Sequence, residues 1–485
     1  MSLNDLFRDL ITLMPWVFLV LWACLLLLAD LFIPTGRKGL TALLAAIGLA
    51  IALGFAVAQS GIEETAFGGM AVVDGFAVFL NVLFLFSGIV AIALAYDYLK
   101  RMNIERGEYY TLLLFSIAGM MLMGMANNLI IVFLALELLS IPLYVLAGFA
   151  RPRLDSEEAA LKYFLLGAFA GGFVVYGIAL VYGATASTAL PGIIASLSGG
   201  EADLLMATIG AALILVGLGF KVAVVPFHMW TPDVYQGAPS SVTAFMSVGA
   251  KAGGFAALLR VFITAFPELA PDLTMVLWVL AALTMFLGNV VAIVQGNIKR
   301  MLAYSSIAHA GYILMALVPY GQAEVAGDAA AAGLFYLMAY AFTSLGAWAV
   351  VIALEKAEGK GLELSDYAGL GRKYPALAAA MTVFMLSFTG VPPTLGFVGK
   401  FYLFRVILQG GYTGLAVIGV LTSLISAYYY LRVVVMMYMR EGEPEVRREA
   451  WLGLTALGGA LATVILSLFA EPFFRWASNA VLTML

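Results

Sequence analysis

Residues 210–260 read GAALILVGLGFKVAVVPFHMWTPDVYQGAPSSVTAFMSVGAKAGGFAALLR. Lys221 and Lys251 lie inside apolar runs long enough to cross a bilayer, and Pro226, His228, Pro232, Gly237 and Pro239 fall between them. The backbone must therefore leave the helical path at or near membrane depth. A lysine near the bilayer centre costs roughly 2.5–3.5 kcal/mol on insertion scales, so it is rarely there without a task. Non-helical backbone at that depth survives only when protein buries it or when it lines a wet cavity. A broken helix beside a buried base is a construction used to move ions across membranes.

The composition agrees with a lipid-solvated chain. Of 485 residues, 63% are hydrophobic and 11% charged, against about 25% charged in soluble proteins. A net charge of −4 offers no field for a polyanion, which argues against nucleic acid as a partner. One cysteine, Cys24, excludes a disulfide framework and a cysteine-ligated iron–sulfur cluster. Two histidines, His228 and His309, leave little for a haem or zinc site, so no redox centre or metal is expected in this chain. The apolar run 15–33 continues past Cys24 without a polar break and reads as a retained first span, not a cleaved leader.

Hydropathy marks about fourteen spans, at 12–33, 39–58, 75–97, 109–127, 128–149, 158–183, 202–226, 236–264, 272–295, 300–319, 328–354, 374–408, 411–438 and 448–470. The connections test that count. Those after spans 1, 3, 5, 9, 11 and 13 carry basic residues such as Lys38, Arg101, Arg153, Arg300, Lys356 and Arg447. Those after spans 2, 6, 8 and 10 carry acidic residues such as Glu63, Asp203, Glu268 and Glu324. By the positive-inside rule the odd-numbered connections are cytoplasmic and both termini lie outside.

A second span is interrupted. Residues 374–408 are about 35 long where roughly 20 suffice, with Gly390, Pro392, Pro393, Gly396 and Gly399 in their middle and Lys400 just beyond. The two interruptions lie five spans apart. At the same interval KYFLLGAFA (162–170) aligns with FYLMAYAFT (335–343), pairing Tyr163 with Tyr336, Ala168 with Ala341 and Phe169 with Phe342. An odd offset puts the two copies in opposite orientations, which predicts inverted repeats of spans 4–8 and 9–13. The expected organisation is a three-helix segment at 1–108, repeats at 109–264 and 265–440, and a last helix with a short tail at 441–485.

Several charges fall inside these spans. Glu137 lies about nine residues into span 5, Lys221, Lys251 and Lys400 lie in spans 7, 8 and 12, and His309 lies in span 10. Lys162 and Lys299 are near span ends, where snorkelling to the surface is as good an account as function. For Glu137, Lys221 and Lys400 snorkelling is implausible. Burial disfavours a charged lysine and a nearby carboxylate favours it, so a lysine–glutamate pair can be switched by small movements. The expected path stores a proton on Lys221, passes it through Lys251 and His309, and delivers it by Lys400 toward the outer side. His228 is either a satisfied histidine at the break or a relay above Lys221.

The stretches LELLSIPLYVLAGF (136–149), EAALKYFLLGAFAGGFVVYGIALVYGAT (158–185), GFKVAVVPFHMWTPDVYQGAPSSVTAFMSVGAKAGGFAALLR (219–260), GNIKRMLAYSSIAHAGYILM (296–315) and TGVPPTLGFVGKFYLF (389–404) resemble the antiporter-like membrane subunits of respiratory complex I. The likeness covers nearly the whole chain. Residues 158–185 and the lysine at 400 favour the subunit N branch over its sister L and M branches. The resemblance implies an all-α polytopic fold of fourteen spans, with inverted five-helix repeats and broken spans 7 and 12. It implies proton translocation driven by quinone reduction elsewhere in the complex, in a bacterial plasma membrane. Glu137 and Lys221 would form the coupled pair, Lys162 would tune it, and Lys251, Lys299, His309 and Lys400 would continue the path. Flavin mononucleotide and iron–sulfur clusters would belong to partner subunits, and the chain's own partners would be other complex I membrane subunits. The same family includes sodium/proton antiporter and membrane-bound hydrogenase subunits. A lipid-linked glycan polymerase or acyltransferase would want a large polar outer loop, and a spacer would use its buried charges only to hold helices together.

Overall fold

The computed structural model describes residues 3–200, 202–356 and 359–480. Helix α1 (Leu3–Thr12) meets α2 (Met14–Asp30) at 89°. After α3 (Gly39–Ala58), a short antiparallel hairpin of β1 (Glu64–Ala66) and β2 (Ala71–Val73) leads into α4 (Gly75–Arg101). Next come α5 (Glu108–Met125), α6 (Leu129–Ala147), α7 (Leu154–Thr185) and the short α8 (Leu190–Ser198). The first broken unit is α9 (Leu204–Val222), an irregular turn, and α10 (Trp230–Gly237). Helices α11 (Ser240–Phe245) and α12 (Lys251–Ala265) flank a π-helical turn at Met246–Ala250.

The second half runs through α13 (Ala270–Ile293), α14 (Ile298–Met315) and α15 (Ala323–Leu354). A one-turn helix, α16 (Leu370–Lys373), precedes the second broken unit, α17 (Pro375–Thr389) and α18 (Leu395–Gln409). Helices α19 (Thr413–Met439), α20 (Ala450–Leu468) and α21 (Ala470–Asn479) complete the fold.

All fourteen expected segments carry helix. Among the described residues, eleven helices are long and apolar enough to cross a membrane alone, or twelve if α1 and α2 form one bent span. The shortfall has a local reason. Helix α14 holds Lys299, Arg300 and His309 within 18 residues. The long segment 374–408 is divided into two helices of 15 residues each. The sequence reading did not foresee the sharp bend after α1, the hairpin, α8, α10 or the π-helical turn.

Polar residues set the helix starts. Asp74, Asn128, Asp203, Asn297 and Thr394 each accept a backbone N–H from the first turn of the following helix, at 2.8–3.4 Å. This satisfies donors that have no partner inside the helix and no water within a bilayer. Small residues set the packing. A Cβ at Gly119 of α5 would stand 2.3 Å from the backbone nitrogen of Leu139 on α6, and one at Gly288 of α13 would stand 2.6 Å from that of Ala308 on α14. Such close approach is how helices associate where lipid removes the hydrophobic drive.

The connections also sort by face. Arg101 pairs with Glu449, Lys356 with Glu445 at 3.0 Å, and Arg300 with Asp233 at 2.7 Å, so the basic connections gather at one end of the bundle. At the other end Arg260, buried on α12, holds Asp74 through two hydrogen bonds of 2.8 Å and donates to the Gly124 carbonyl at 2.9 Å. Asp74→Asn leaves this guanidinium without its counter-charge, and removing one partner of a buried pair costs about 3–5 kcal/mol. We expect a lower melting temperature for Asp74→Asn and partial recovery in Asp74→Leu/Arg260→Met; an unchanged melting curve for Asp74→Asn would show that the clamp is not structural.

Candidate functional site

Six of the basic side chains singled out in the sequence are buried, His228 among them. Lys221, Lys251, Lys299, His309 and Lys400 are each 1–4% exposed. Each ammonium is held by neutral oxygens. Lys221, in the last turn of α9, donates to Ser140 Oγ at 2.7 Å and to the Tyr163 hydroxyl at 2.9 Å. Lys251, the first residue after the π-helical turn, donates to the Ser306 carbonyl at 2.5 Å. Lys400 donates to the Phe388 and Thr389 carbonyls at 2.9 and 3.0 Å and to Ser423 Oγ at 2.6 Å. Those two carbonyls end α17, where a helix has unpaired acceptors and the negative end of its dipole.

Helix α14 joins these groups. Ser306, His309 and Tyr312 recur every three residues and so share one face. Lys251 is bonded to the first. His309 Nδ1 lies 2.7 Å from the Tyr336 hydroxyl on α15, and its Nε2 lies 3.1 Å from the Tyr430 hydroxyl on α19. Lys400 sits 4.6 Å from the centre of the Tyr312 ring. At the other end, the stem of Lys221 packs on α12. A Cβ at Gly254, one turn beyond Lys251, would lie 3.4 Å from Lys221 Cγ. Contacts along α14 therefore connect Lys251, His309 and Lys400, and Lys221 packs beside the helix that carries Lys251, so the four groups lie on the neighbouring helices α9, α12, α14 and α18.

Other expected residues are placed differently. Glu137 is half-buried on α6, and a Cβ at Gly171 of α7 would lie 3.1 Å from its Oε1. Lys221 bonds to Ser140, one turn on from Glu137, so the carboxylate acts on the ammonium through space. Lys162 is 41% exposed at the basic face, where it pairs with Glu158 at 2.7 Å and Asp233 at 2.6 Å. Its neighbour Tyr163 is the residue that reaches Lys221. Lys299 does not snorkel; its Nζ donates to the Ala238 carbonyl at 2.7 Å. His228 lies buried in the turn after α9, and its Nδ1 has no hydrogen-bond partner among the described residues.

Sequence reasoning missed the neutral partners, Ser140, Ser306, Tyr430 and Ser423. Only Tyr163 and Tyr336 carried a signal, since the two were aligned at the five-span interval. Partial burial of Asp233 opposes its ionisation, but Lys162 and Arg300 outweigh that and hold its carboxyl below the ordinary carboxylate value. This exposed cluster ties α7, α10 and α14 together at the mouth of the first break.

The comparisons with known proteins agree with this architecture. The family described as "NADH:quinone oxidoreductase/Mrp antiporter, TM" matches residues 126–426. NADH-quinone oxidoreductase subunit N of Chloroflexus aggregans is 47% identical over 482 residues, 98% of each chain. The subunit of the same name from Trichlorobacter lovleyi is 48% identical over 481 residues, 98% of this chain and 97% of the relative. A chain of respiratory complex I from Thermus thermophilus superposes with a TM-score of 0.82 at 36% identity, covering 96% of this chain and 99% of that one. A chain of the Mrp complex of Dietzia sp. DQ12-45-1b shares the fold, with a TM-score of 0.85 at 21% identity over 99% of this chain and 97% of that one. Buried lysines along a pair of broken helices, a profile matching most of the chain and near full-length relatives lead to one assignment: the chain belongs to the NADH:quinone oxidoreductase/Mrp antiporter family of multi-pass membrane proteins.

Proposed function

We propose that this chain is a proton-translocating membrane-arm subunit of a respiratory NADH:quinone oxidoreductase, seated in a bacterial plasma membrane beside other membrane subunits of that complex. The observation that carries the reading is the α14 face, where Ser306, His309 and Tyr312 link Lys251 to Lys400. A proton stored on Lys221 moves to Lys251 when the hydrogen bonds to Ser140 and Tyr163 loosen. It then crosses by His309 to Lys400, whose carbonyl cradle at the end of α17 holds the positive charge before release. Glu137 sets the charge of Lys221 from a distance, and Lys162, with Asp233, fixes the geometry of the first break. Residues 109–264 and 265–440 act as two inverted repeats, and the basic face is cytoplasmic. Flavin and iron–sulfur chemistry is assigned to partner subunits, so that this chain contributes translocation and no redox step to the enzyme. The near full-length likeness to subunit N proteins supports the complex I reading over an antiporter.

In the assembled complex reconstituted into liposomes, Lys221→Ala is expected to lower NADH-driven acidification at least about tenfold, the scale of a lost proton-transfer group. Glu137→Gln should lower it less, because the carboxylate is not bonded to the lysine. Wild-type pumping in both, at normal subunit levels, would sink the proposal. Pumping that requires sodium would move the chain to the antiporter branch.

The Asp233 cluster gives a pH dependence. A carboxyl whose value is depressed in the folded state stabilises above its unfolded value and loses that contribution as pH falls through the folded one. The link among α7, α10 and α14 is thus intact at pH 7 and lost only below about pH 4. Hydrogen exchange at pH 7 should be faster in α10 of Asp233→Asn than in the wild type. Equal exchange would mean that α10 is pinned by its apolar contacts alone.

A further inference from the structure

A buried carboxylate lies outside the line described above. Glu355, the residue after α15, is 1% exposed. Its Oε1 accepts a hydrogen bond from the Tyr98 hydroxyl at 3.3 Å, while its Oε2 is buried with no hydrogen-bond partner among the described residues. A carboxylate placed only to hold helices together would have both oxygens paired, since an unpaired buried polar atom is costly. The Tyr98 hydroxyl in turn accepts the backbone N–H of Ser240 at 3.0 Å. Two residues earlier, the Ala238 carbonyl accepts from Lys299 Nζ at 2.7 Å. The turn from Ala238 to Ser240 joins α10 to α11, so Tyr98, which donates to the carboxylate, and the buried ammonium hold opposite ends of one three-residue turn. The carboxylate and the ammonium act on each other electrostatically.

Glu355 is itself buried, but the chain on either side of it reaches solution. Leu354 and Lys356, its chain neighbours, line a cleft of about 450 Å³ at the basic face. Glu363, Asp366, Glu443 and Glu445 line it together with Lys356 and Lys360; Glu445 pairs with Lys356 at 3.0 Å and Glu443 with Lys373 at 2.8 Å, and the carboxylates still outnumber the lining lysines, which favours cations. The remaining titratable groups that act on this site are Arg153 and Asp155 from the start of α7, and Tyr367.

We propose that Glu355 is the acid that loads protons from the cleft onto Lys299, and so feeds the buried line from the basic face; this rests on the proton-translocating reading above. The carboxylate takes a proton from hydronium in the cleft, forming the O–H bond of the acid. That bond then breaks as the neutral Lys299 amine takes the proton. The ammonium is formed, the carboxylate is regenerated, and no electrons change hands. Lys299 opens the α14 helix whose later residues meet Lys251 and Lys400, so the loaded charge enters at the head of that helix.

The test uses the whole complex in liposomes, with NADH oxidation and internal acidification followed together across pH. Glu355→Gln keeps the shape and removes the acid; acidification should fall about tenfold. Glu355→Asp should restore it with a displaced pH profile, which a merely structural role would not produce. If Glu355→Gln does not assemble, Tyr98→Phe keeps the carboxylate and removes the one hydrogen-bond donor it has among the described residues. The half-maximal pH of pumping should then move by about one unit. Pumping at the wild-type rate with an unchanged pH profile in either variant overturns the proposal. Lys221→Ala separates the two levels of argument. If it stops pumping while Glu355→Gln does not, only the loading role is wrong; if it pumps normally, the translocation reading fails first.

Discussion

An ammonium group in a low-dielectric interior must be satisfied, or it will shed its proton. The rest of this structure is arranged around meeting that demand without a carboxylate in contact. Lys221, Lys251, Lys299 and Lys400 are held by hydroxyl and carbonyl oxygens. Some of these oxygens come from within continuous helices, namely the Ser306 carbonyl of α14 and the hydroxyls of Ser140, Tyr163 and Ser423. The breaks add carbonyls that have no partner inside a helix. The second interruption frees the carbonyls of Phe388 and Thr389 for Lys400, and the turn between α10 and α11 frees that of Ala238 for Lys299. The proline and glycine clusters that read as flaws in two spans thus help to make Lys299 and Lys400 tolerable, while Lys221 and Lys251 rely on oxygens of intact helices.

The two halves share a scaffold more closely than they share chemistry. Helices α7 and α15 are each 32 residues long, and α9 and α17 each end on a residue with positive φ, Ala223 at 64° and Gly390 at 90°. Tyr163 on α7 bonds to Lys221, and Tyr336 on α15 bonds to His309. Yet Lys221 precedes its break, whereas Lys400 follows the other, and the tyrosine of one half bonds a lysine where that of the other bonds a histidine. Unlike groups at the two breaks give the buried residues distinct ends, which directional transfer needs.

The class of fold, the two breaks and the buried lysines were legible because apolar context and Pro/Gly punctuation are local signals. Lys162 and Lys299 show where local signals end. Both lie near the basic ends of their helices, and the sequence treats them alike. The structure draws Lys162 outward to Glu158 and Asp233, and covers Lys299 with the turn after α10. That helix was invisible as a separate element, since WTPDVYQG is neither long nor strongly apolar. Glu355 was hidden for the opposite reason. It lies in LEKAEGKGLE, a charge-rich stretch that reads as solvated, and only the packing of α4 against the end of α15 buries it. Serines such as Ser140 and Ser306 carry no mark of their role, because partner choice is decided between helices distant in sequence.

Arg260 supplies the contrast that separates structural from functional charge in this interior. Its guanidinium is always ionised, and here it is fully matched by a bidentate carboxylate, a carbonyl and the Phe76 ring at 4.8 Å. Nothing about that site can change without breaking several bonds at once, so it clamps α12 to α4. The lysines have the reverse design. An ammonium held by a few neutral oxygens can lose its proton and leave those oxygens tolerably placed, because hydroxyls rotate and carbonyls can turn to water. Replacing the carboxylate of Asp74 by such neutral acceptors would leave the arginine charged and uncompensated. Replacing Ser140 and Tyr163 by a carboxylate at contact distance would fix Lys221 in its charged form. The chain keeps its carboxylates one step away from its lysines, with Glu137 a turn from Ser140 and Glu355 across a turn from Lys299. That spacing lets Lys221 and Lys299 be biased without being locked.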